Sequence, residues 1–335
     1  MSRAGWIRLV AATAFGLCLL VVVLGGYVRS SAAGLGCPDW PGCYGHLTPS
    51  AVADKAAAGG PVIETGKAWR EMIHRYAAGS LGALIVVIGA LAIQWRKDKL
   101  LSIPFAAGLL LLVLVQAAFG RLTVTWQLQP LIVTSHLLLG LCTLSLLWWL
   151  VMTLWAHGDS AWHGGGALHG HVIRRAQRWA LIGLLVLALQ LALGGWTSSN
   201  YAAIACPDLP TCQNQWWPKA DFGNGFQLWR DAVVNFEGGV LSLPARVAIQ
   251  LTHRLGALVT ALALVWTAFC ALRIRGSAEV RQTAWALLGF LVLQLLIGSA
   301  MVLRGFPLWL ATAHNAGAAL LLLAAVALNR VLRPT

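Results

Sequence analysis

Eight apolar stretches, each long enough to cross a lipid bilayer, constrain this 335-residue chain more than any other feature. In a bilayer only closed barrels and helices satisfy every backbone polar group, and a helix of about 20 apolar residues spans the hydrocarbon. Apolar residues make up 59% of the chain and charged residues 10%, too little charge for a soluble surface. The sequence therefore predicts an all-α integral membrane protein with spans at 7–28, 68–93, 102–124, 131–154, 178–198, 244–272, 283–303 and 310–330.

The basic residues predict the orientation of these helices. Lysine and arginine are concentrated on the side of the N-terminus, at Arg3, Arg8, Arg96, Lys97, Lys99, Arg174, Arg175, Arg178, Arg273, Arg275, Arg281, Arg330 and Arg333. Because cytoplasmic segments carry the excess of lysine and arginine, both termini are expected in the cytoplasm. The net charge of +13 does not indicate a nucleic-acid partner, since the basic residues form no continuous stripe. The bilayer is the expected environment.

The two halves of the chain repeat each other. Residues 25–43 align without a gap with 194–212, and nine of the nineteen positions are identical. Matching segments continue through the later helices, which indicates a duplicated four-helix unit. We expect two tandem four-helix bundles related by pseudo-twofold symmetry about the membrane normal, an N-terminal half at 1–155 and a C-terminal half at 178–335, joined by a cytoplasmic linker at 156–177.

The linker is rich in glycine and histidine. Its histidines are His157, His163, His169 and His171. They could bind a metal, but a flexible, solvated linker is the favoured interpretation.

Four other histidines lie within the predicted helices, two in each half. They are His74 and His136 in the N-terminal half and His253 and His314 in the C-terminal half. Intramembrane histidines are costly and generally functional, although each could simply bond to a neighbouring helix. Zinc would need further ligands, whereas haem iron accepts two axial imidazoles. The sequence therefore predicts two bis-histidine haem sites near the outer face.

The halves differ at one ionisable position beside these histidines. Glu71 lies three residues before His74, whereas Gln250 holds the matching position before His253. Residues three apart share a helix face, so Glu71 is expected to point toward the same cofactor as His74. This asymmetry favours chemistry in the N-terminal half and electron transfer in the C-terminal half. The alternative is an ion pair between Glu71 and Arg75.

Two arginines directly follow a predicted ligand. Arg75 follows His74, and Arg254 follows His253. They could contact haem propionates, or they could only anchor the helix ends at the membrane interface.

The same cysteine loop occurs in both halves, as CPDWPGC at 37–43 and CPDLPTC at 206–212. Both loops are expected outside the cytoplasm, where disulfides persist, so we predict the pairs Cys37–Cys43 and Cys206–Cys212. A redox or docking role and a structural clip over the haem both remain open for them.

These features together resemble the haem A synthase family, in the bacterial type that carries the cysteine pairs. The resemblance rests on eight helices in two halves, the ExxHR motif at 71–75, the THR motif at 252–254 and the four histidines. It covers nearly the whole chain.

The resemblance implies an oxidoreductase that converts the C8 methyl group of haem O to a formyl group through successive hydroxylations. His253 and His314 would ligate a resident haem b, and His74 and His136 would ligate haem O or its product haem A. Glu71 would act at the reacting edge. A haem O synthase, cytochrome oxidase assembly factors and an electron acceptor are the implied partners, and a homo-oligomer is left open. The implied location is the bacterial inner membrane, with haem sites and cysteine loops on the periplasmic side.

Two other functions remain open at this point. A di-haem electron carrier explains the four histidines but gives Glu71 no task. A haem transporter or chaperone would bind haem weakly and release it. A thiol oxidoreductase is disfavoured because such enzymes commonly use a C-x-x-C spacing.

Overall fold

The computed structural model describes residues 2–50, 64–98, 101–155, 167–230, 235–274 and 276–333. Eight long helices dominate these ranges: α1 (Arg3–Ser30), α2 (Thr65–Gln94), α3 (Ile103–Thr125), α4 (Pro130–Trp155), α5 (Ala167–Ser199), α6 (Leu243–Leu272), α7 (Ala278–Leu303) and α8 (Leu308–Val331). All eight are long and apolar enough to cross a membrane. The predicted all-α membrane fold with eight spans is therefore confirmed.

Helix α5 begins earlier than the apolar pattern indicates. It starts at Ala167, whereas the apolar run begins near residue 178. Residues 167–177 belong to the helix because they include the strong helix formers alanine, arginine and glutamine. The glycines of the linker, which disfavour a helix, end at Gly170. The linker was predicted at 156–177. Residues 156–166 of that range, which include His157 and His163, lie outside the described residues. The side chain of His169 is also outside the described part.

Each group of four consecutive helices closes into a ring. In the first ring α1 packs on α2, α2 on α3, α3 on α4, and α4 on α1. Helices α5 to α8 pack in the same cyclic order. Helices α2 and α4 therefore stand at opposite corners of one ring, and α6 and α8 at opposite corners of the other.

The two rings meet through three helix pairs, α1 with α8, α4 with α5, and α4 with α8. A polar contact joins α8 to α1, where Asn315 Nδ2 donates to the Val22 carbonyl at 3.1 Å. Asn315 fits because Gly26 of α1 has no side chain; a Cβ there would lie 2.3 Å from Asn315 Nδ2. Close approach of this kind is how small residues strengthen helix contacts in membranes.

The odd-numbered helices all end with the same turn. A residue with positive φ follows the helix, and the next N–H donates to a carbonyl five residues back, which satisfies an end-of-helix carbonyl. The four positive-φ residues are Ala32, Gln127, Tyr201 and Gly305, and the four bonds join Ala33 to Val28, Leu128 to Thr123, Ala202 to Thr197 and Phe306 to Met301. These turns lie at the end of the molecule that carries the cysteine loops, here called the loop end. The opposite end, with Arg3 and Val331, is called the terminal end.

Candidate functional site

Each of the four intramembrane histidines lies against a glycine of the preceding helix. The ring stands so close to the glycine backbone that an added Cβ would be in contact with the imidazole Cε1. That distance would be 3.0 Å for Gly25 and His74, 3.1 Å for Gly120 and His136, 3.4 Å for Gly194 and His253, and 2.9 Å for Gly298 and His314. Glycine at these positions is therefore what gives each imidazole its room.

The four imidazoles also share a depth in the membrane. Every contact glycine lies seven residues before the positive-φ residue that ends its helix. Seven residues of α-helix rise about 10 Å, so all four glycines lie at that distance from the loop end. The histidines stand on α2, α4, α6 and α8, so each ring of helices holds one imidazole on each of two opposite corners.

One histidine has a clearly defined ring proton. His136 Nδ1 donates to the backbone carbonyl of Gln116 on α3 at 3.1 Å. A proton on Nδ1 leaves the lone pair on Nε2, the nitrogen that can then bind a metal. Within the described part of the chain, Nδ1 of His74 and Nδ1 of His314 are buried without a hydrogen-bond partner.

Glutamine side chains contact the two histidines of the C-terminal half. Gln190 Nε2 donates to the His253 carbonyl at 3.0 Å and lies 3.1 Å from His253 Nδ1. Gln294 Nε2 donates to the His314 carbonyl at 3.0 Å and lies 3.3 Å from His314 Nε2. A backbone carbonyl therefore orients His136, whereas side-chain amides lie beside His253 and His314.

These glutamines were not predicted from the sequence, although a signal for them exists. Gln116, Gln190 and Gln294 each lie four residues before a contact glycine, and Val21 holds the matching place on α1. Residues four apart share a helix face, so this position lies against the same histidine as the glycine. Gln190 and Gln294 contact their histidines through the side chain, and Gln116 contacts His136 through its backbone carbonyl. Comparison of the four odd-numbered helices, instead of the two halves, would have found the pattern.

Glu71 is buried and faces the first cysteine loop. Its side chain forms an ion pair with Arg75, in which Nη2 lies 2.5 Å from Oε1. Its other oxygen, Oε2, accepts a hydrogen bond from the Cys37 backbone N–H at 2.8 Å. The ion pair that was the alternative interpretation of Glu71 is therefore present, and the carboxylate also anchors the loop.

Arg75 holds the same loop from the helix side. Its Nη1 donates to the carbonyl oxygens of Asp39 at 2.8 Å and Gly42 at 2.5 Å. In the second half, Arg254 donates to the carbonyl oxygens of Cys206 and Asp208 at 2.9 Å each and of Thr211 at 2.7 Å. Neither arginine was predicted to have this role; both clamp a cysteine loop to its helix.

Gln250 differs from Glu71 in its contacts as well as its charge. It is as deeply buried, with 4% of its surface exposed in each case. Its Oε1 is buried without a hydrogen-bond partner among the described residues. The C-terminal loop is therefore held by Arg254, whereas the N-terminal loop is held by a glutamate and an arginine together.

Both predicted disulfides are present, at Cys37–Cys43 and Cys206–Cys212. In each loop an aspartate caps the turn. The Asp39 carboxylate accepts hydrogen bonds from the backbone N–H groups of Tyr44 and Gly45, with N···O distances of 2.5 and 2.7 Å. The Asp208 carboxylate accepts hydrogen bonds from two backbone N–H groups of the following turn and from the Thr211 hydroxyl. The hydroxyl, followed by those N–H groups, holds the pKa of Asp208 below its ordinary value.

No three side chains of histidine, cysteine, aspartate or glutamate gather as a metal site within the described ranges. The intramembrane histidines stand as one pair in each helix ring, on opposite corners. Of the linker histidines, His171 has a described side chain, which lies on the exposed face of α5.

Comparison with known proteins places the whole chain in one family. Residues 8–326 match the COX15-CtaA family model, described as cytochrome oxidase assembly protein. A curated protein of Shewanella oneidensis, named "Heme A synthase", is 41% identical over 93% of this chain and 92% of its own length. Proteins with the same name from Caulobacter sp. and Halalkalibacterium halodurans are 27% and 25% identical, over 98% and 88% of this chain and 96% and 87% of their own lengths. The chain therefore belongs to the COX15-CtaA family of cytochrome oxidase assembly proteins.

Proposed function

We propose that this chain is a haem A synthase of a bacterial cytoplasmic membrane. It would oxidise the C8 methyl group of haem O to a formyl group and so supply haem A for cytochrome oxidase. Membership of the COX15-CtaA family and the name of the 41%-identical relative support this activity. The eight apolar helices support the location in a membrane. The periplasmic orientation of the loops rests on the distribution of basic residues.

The two helix rings are the proposed tandem bundles, 1–155 and 178–335. Their contacts support a pseudo-twofold relation. Such an axis exchanges α1 with α5 and α4 with α8, so the pair α1–α8 becomes the pair α5–α4, and the pair α4–α8 maps onto itself. All three inter-ring pairs obey this rule. Each bundle would hold one haem.

The histidine pairs fit the axial ligands of a haem, and this is the observation that carries the proposal. Imidazoles from opposite corners of a ring can approach the two faces of a flat macrocycle between them. The glycines leave room for the imidazoles, and the hydrogen bond from His136 Nδ1 to the Gln116 carbonyl leaves the Nε2 lone pair of His136 free for a metal. We assign His74 and His136 to haem O or haem A, and His253 and His314 to a resident haem b.

Bound haem supplies the methyl group to be oxidised and an iron through which electrons can leave. His74 and His136 would hold this haem through its iron. Conversion of the methyl group to the formyl group takes up one water and releases four electrons and four protons. Water as the oxygen source and an electron acceptor outside the chain complete this balance.

Glu71 is the proposed catalytic residue. Its carboxylate could stabilise a cation that develops at the ring periphery or orient the attacking water. A carboxylate can accept about four hydrogen bonds, and the Cys37 N–H and Arg75 use two of these sites. The Glu71 carboxylate can therefore still accept a hydrogen bond from a water molecule. The C-terminal half has Gln250 in this place, which supports an electron-transfer role for that half.

The predicted contacts of Arg75 and Arg254 with haem propionates remain predictions. Both Nη atoms of each arginine are already engaged, by a cysteine loop and, for Nη2 of Arg75, by Glu71. Arg254 Nε is buried without a partner among the described residues, so its N–H could donate a hydrogen bond to a propionate oxygen. Haem O synthase and oxidase assembly factors are the proposed partners.

One observation favours the di-haem electron carrier as a second candidate. Both carboxylate oxygens of Glu71 are engaged, one by the Cys37 N–H of the loop and the other by Arg75, as they would be in a purely structural residue. A carrier would bind two haems b and make no new compound.

Exchange of the asymmetric pair tests the proposal. Glu71→Gln keeps the shape of the side chain and gives the N-terminal half the residue of the other half. With haem O supplied, we expect formyl product to fall by about a hundredfold or more while both haem sites still fill. Gln250→Glu is the matched control and should leave product formation within a factor of a few. Unchanged haem A output in Glu71→Gln would remove Glu71 from the chemistry and favour the carrier.

A further inference from the structure

The first turns of α5 form a rigid extension at the terminal end of the molecule. Helix α5 begins at Ala167, about eleven residues before its apolar run. One face of this extension packs on the bundle, with Ala176 and Ala180 each 1% exposed. Gln177 Nε2 donates to the Leu332 carbonyl at 2.7 Å, which ties the extension to the end of α8. The opposite face is therefore held at a fixed place.

That opposite face is strongly basic. His171, Arg174, Arg175 and Arg178 occupy positions i, i+3, i+4 and i+7, which form one stripe along a helix. All four are exposed, and with Trp179 they line a cavity of about 330 Å³. These basic side chains therefore line one common cavity.

A second recess extends this cavity toward α6. It measures about 80 Å³ and shares His171 and Arg175 with the first cavity. Helix α6 adds Arg273, whose guanidinium lies over the Phe269 ring, 4.3 Å from its centroid. Arg175 lies 5.8 Å from the Trp266 ring centroid. The two cavities together are called the α5–α6 basic groove.

The positive charge of the α5–α6 basic groove is not neutralised within the described part of the chain. The three ion pairs found there involve Asp98, Glu64 and Glu71, none of which reaches the groove. Two basic residues at the same end of the N-terminal half, Arg3 and Arg8, are bonded within the protein. Arg3 pairs with Asp98 at 3.1 Å, and Arg8 Nε donates to the Leu154 carbonyl at 2.9 Å. Unlike Arg3 and Arg8, the arginines of the groove line a shared cavity and leave several guanidinium groups available to an anion.

The surroundings of the groove favour a lipid over a soluble anion. Tryptophan is enriched where a membrane meets water, and Trp179 and Trp266 lie beside the basic side chains. An exposed apolar stripe of α6 leads from the hydrocarbon region to the groove, through Leu258, Leu262, Val265 and Phe269. A molecule with a charged head and apolar tails matches both parts of this surface.

We propose that the α5–α6 basic groove binds the phosphodiester headgroup of an anionic phospholipid, with its acyl chains along the α6 stripe. Guanidinium groups bind phosphate through charge-assisted and often paired hydrogen bonds. Basic pockets between membrane helices are suited to anionic headgroups. Nothing in the proposed haem chemistry requires this site, so it stands independently of that function.

Native mass spectrometry of the purified full-length chain, after exchange into lipids of known composition, tests the proposal. Phosphatidylglycerol is the anionic probe and phosphatidylcholine the zwitterionic one, and inorganic phosphate tests for a free-anion site. We expect the wild type to retain phosphatidylglycerol over phosphatidylcholine. The double variant Arg174→Gln/Arg178→Gln should weaken that retention about twenty-five-fold, since each basic residue contributes roughly a factor of five.

The double variant Arg96→Gln/Lys97→Gln is the matched control. It removes the same charge from exposed residues that lie just after α2, at the same end of the molecule, but line neither cavity, and it should retain phosphatidylglycerol like the wild type. Thermal unfolding in phosphatidylcholine verifies that both double variants are folded. Equal loss in both variants, or displacement of the lipid by millimolar phosphate, would overturn the assignment to a lipid headgroup at this groove.

Discussion

The backbone N–H of Cys37 donates a 2.8 Å hydrogen bond to the carboxylate of Glu71, which joins the first disulfide loop to the residue that distinguishes the two halves. Arg75 closes the same unit by pairing with Glu71 and holding the Asp39 and Gly42 carbonyls. The geometry of the carboxylate therefore depends on the loop. In the C-terminal half, Gln250 Oε1 has no partner among the described residues.

Opening the first disulfide should consequently affect catalysis more than haem binding. Cys37→Ser removes the covalent closure that keeps the Cys37 N–H on Glu71. We expect haem A formation to fall by roughly tenfold to a hundredfold, because a misplaced catalytic group costs about that much, while haem content stays near normal. Haem extraction and chromatography of the purified variant measure both quantities.

The second loop provides the control for this variant. Cys206→Ser opens a loop that is held by Arg254 and is expected to reduce haem A formation less than Cys37→Ser does. If the two variants behave alike, or if Cys37→Ser retains full activity, the first disulfide is only a structural clip.

The contact glycines give a prediction about haem binding. Gly298→Ala would place a Cβ 2.9 Å from the His314 ring, so the imidazole must move. We expect loss of most of the haem from the C-terminal half, measured by the absorbance of bound haem per protein. Gly289→Ala on the same helix meets nothing within 4 Å and should bind haem normally. Full haem content in Gly298→Ala would show that the ring position does not determine ligation.

Sequence reasoning predicted the eight helices and the two disulfides correctly because their signals are strong. Apolar runs marked the eight helices, and the duplication connected His74 with His253 and Glu71 with Gln250. The start of α5 was missed because residues 167–177 are helical through propensity and packing without being apolar. The loop clamps of Arg75 and Arg254 were also missed, since they depend on how the loop folds back over its helix. The glutamines beside the histidines required comparison at the level of single helices.

Single ligand replacements should separate the two proposed haem sites. His253→Ala is expected to lose the resident haem b, and His74→Ala the haem O or haem A. Each variant should therefore retain about half of the iron, and the retained haem should differ in kind. Extracted haems identified by mass would measure this. Loss of the same haem species from both variants would contradict the assignment of one haem to each half.

The second cysteine loop should be acid-sensitive in a predictable direction. The pKa of Asp208 is lowered in the folded loop, chiefly by the Thr211 hydroxyl, so its contribution to loop stability is present above its ordinary value of 3.8 and is lost as the pH falls through the lowered value. Thr211→Val removes the largest cause, so the loop should open at a higher pH. The rate at which a phosphine reduces Cys206–Cys212, followed between about pH 2 and pH 5, measures loop opening.

The first loop is an internal control for that measurement, because it has Gly42 where the second loop has Thr211. Reduction of Cys37–Cys43 should be the same in the wild type and in Thr211→Val. An unchanged pH profile for Cys206–Cys212 would mean that the hydroxyl does not set the acid stability of the loop.

The most direct test of the central claim is the identity of the haems that this chain contains. The chain would be co-expressed with a haem O synthase in a host that makes no haem A, then purified, and its haems extracted and separated with mass detection. A haem A synthase is expected to yield haem A, or its hydroxylated precursor, beside haem B. Haem B alone, with haem O present in the cell, would contradict the account and identify the chain as a di-haem electron carrier.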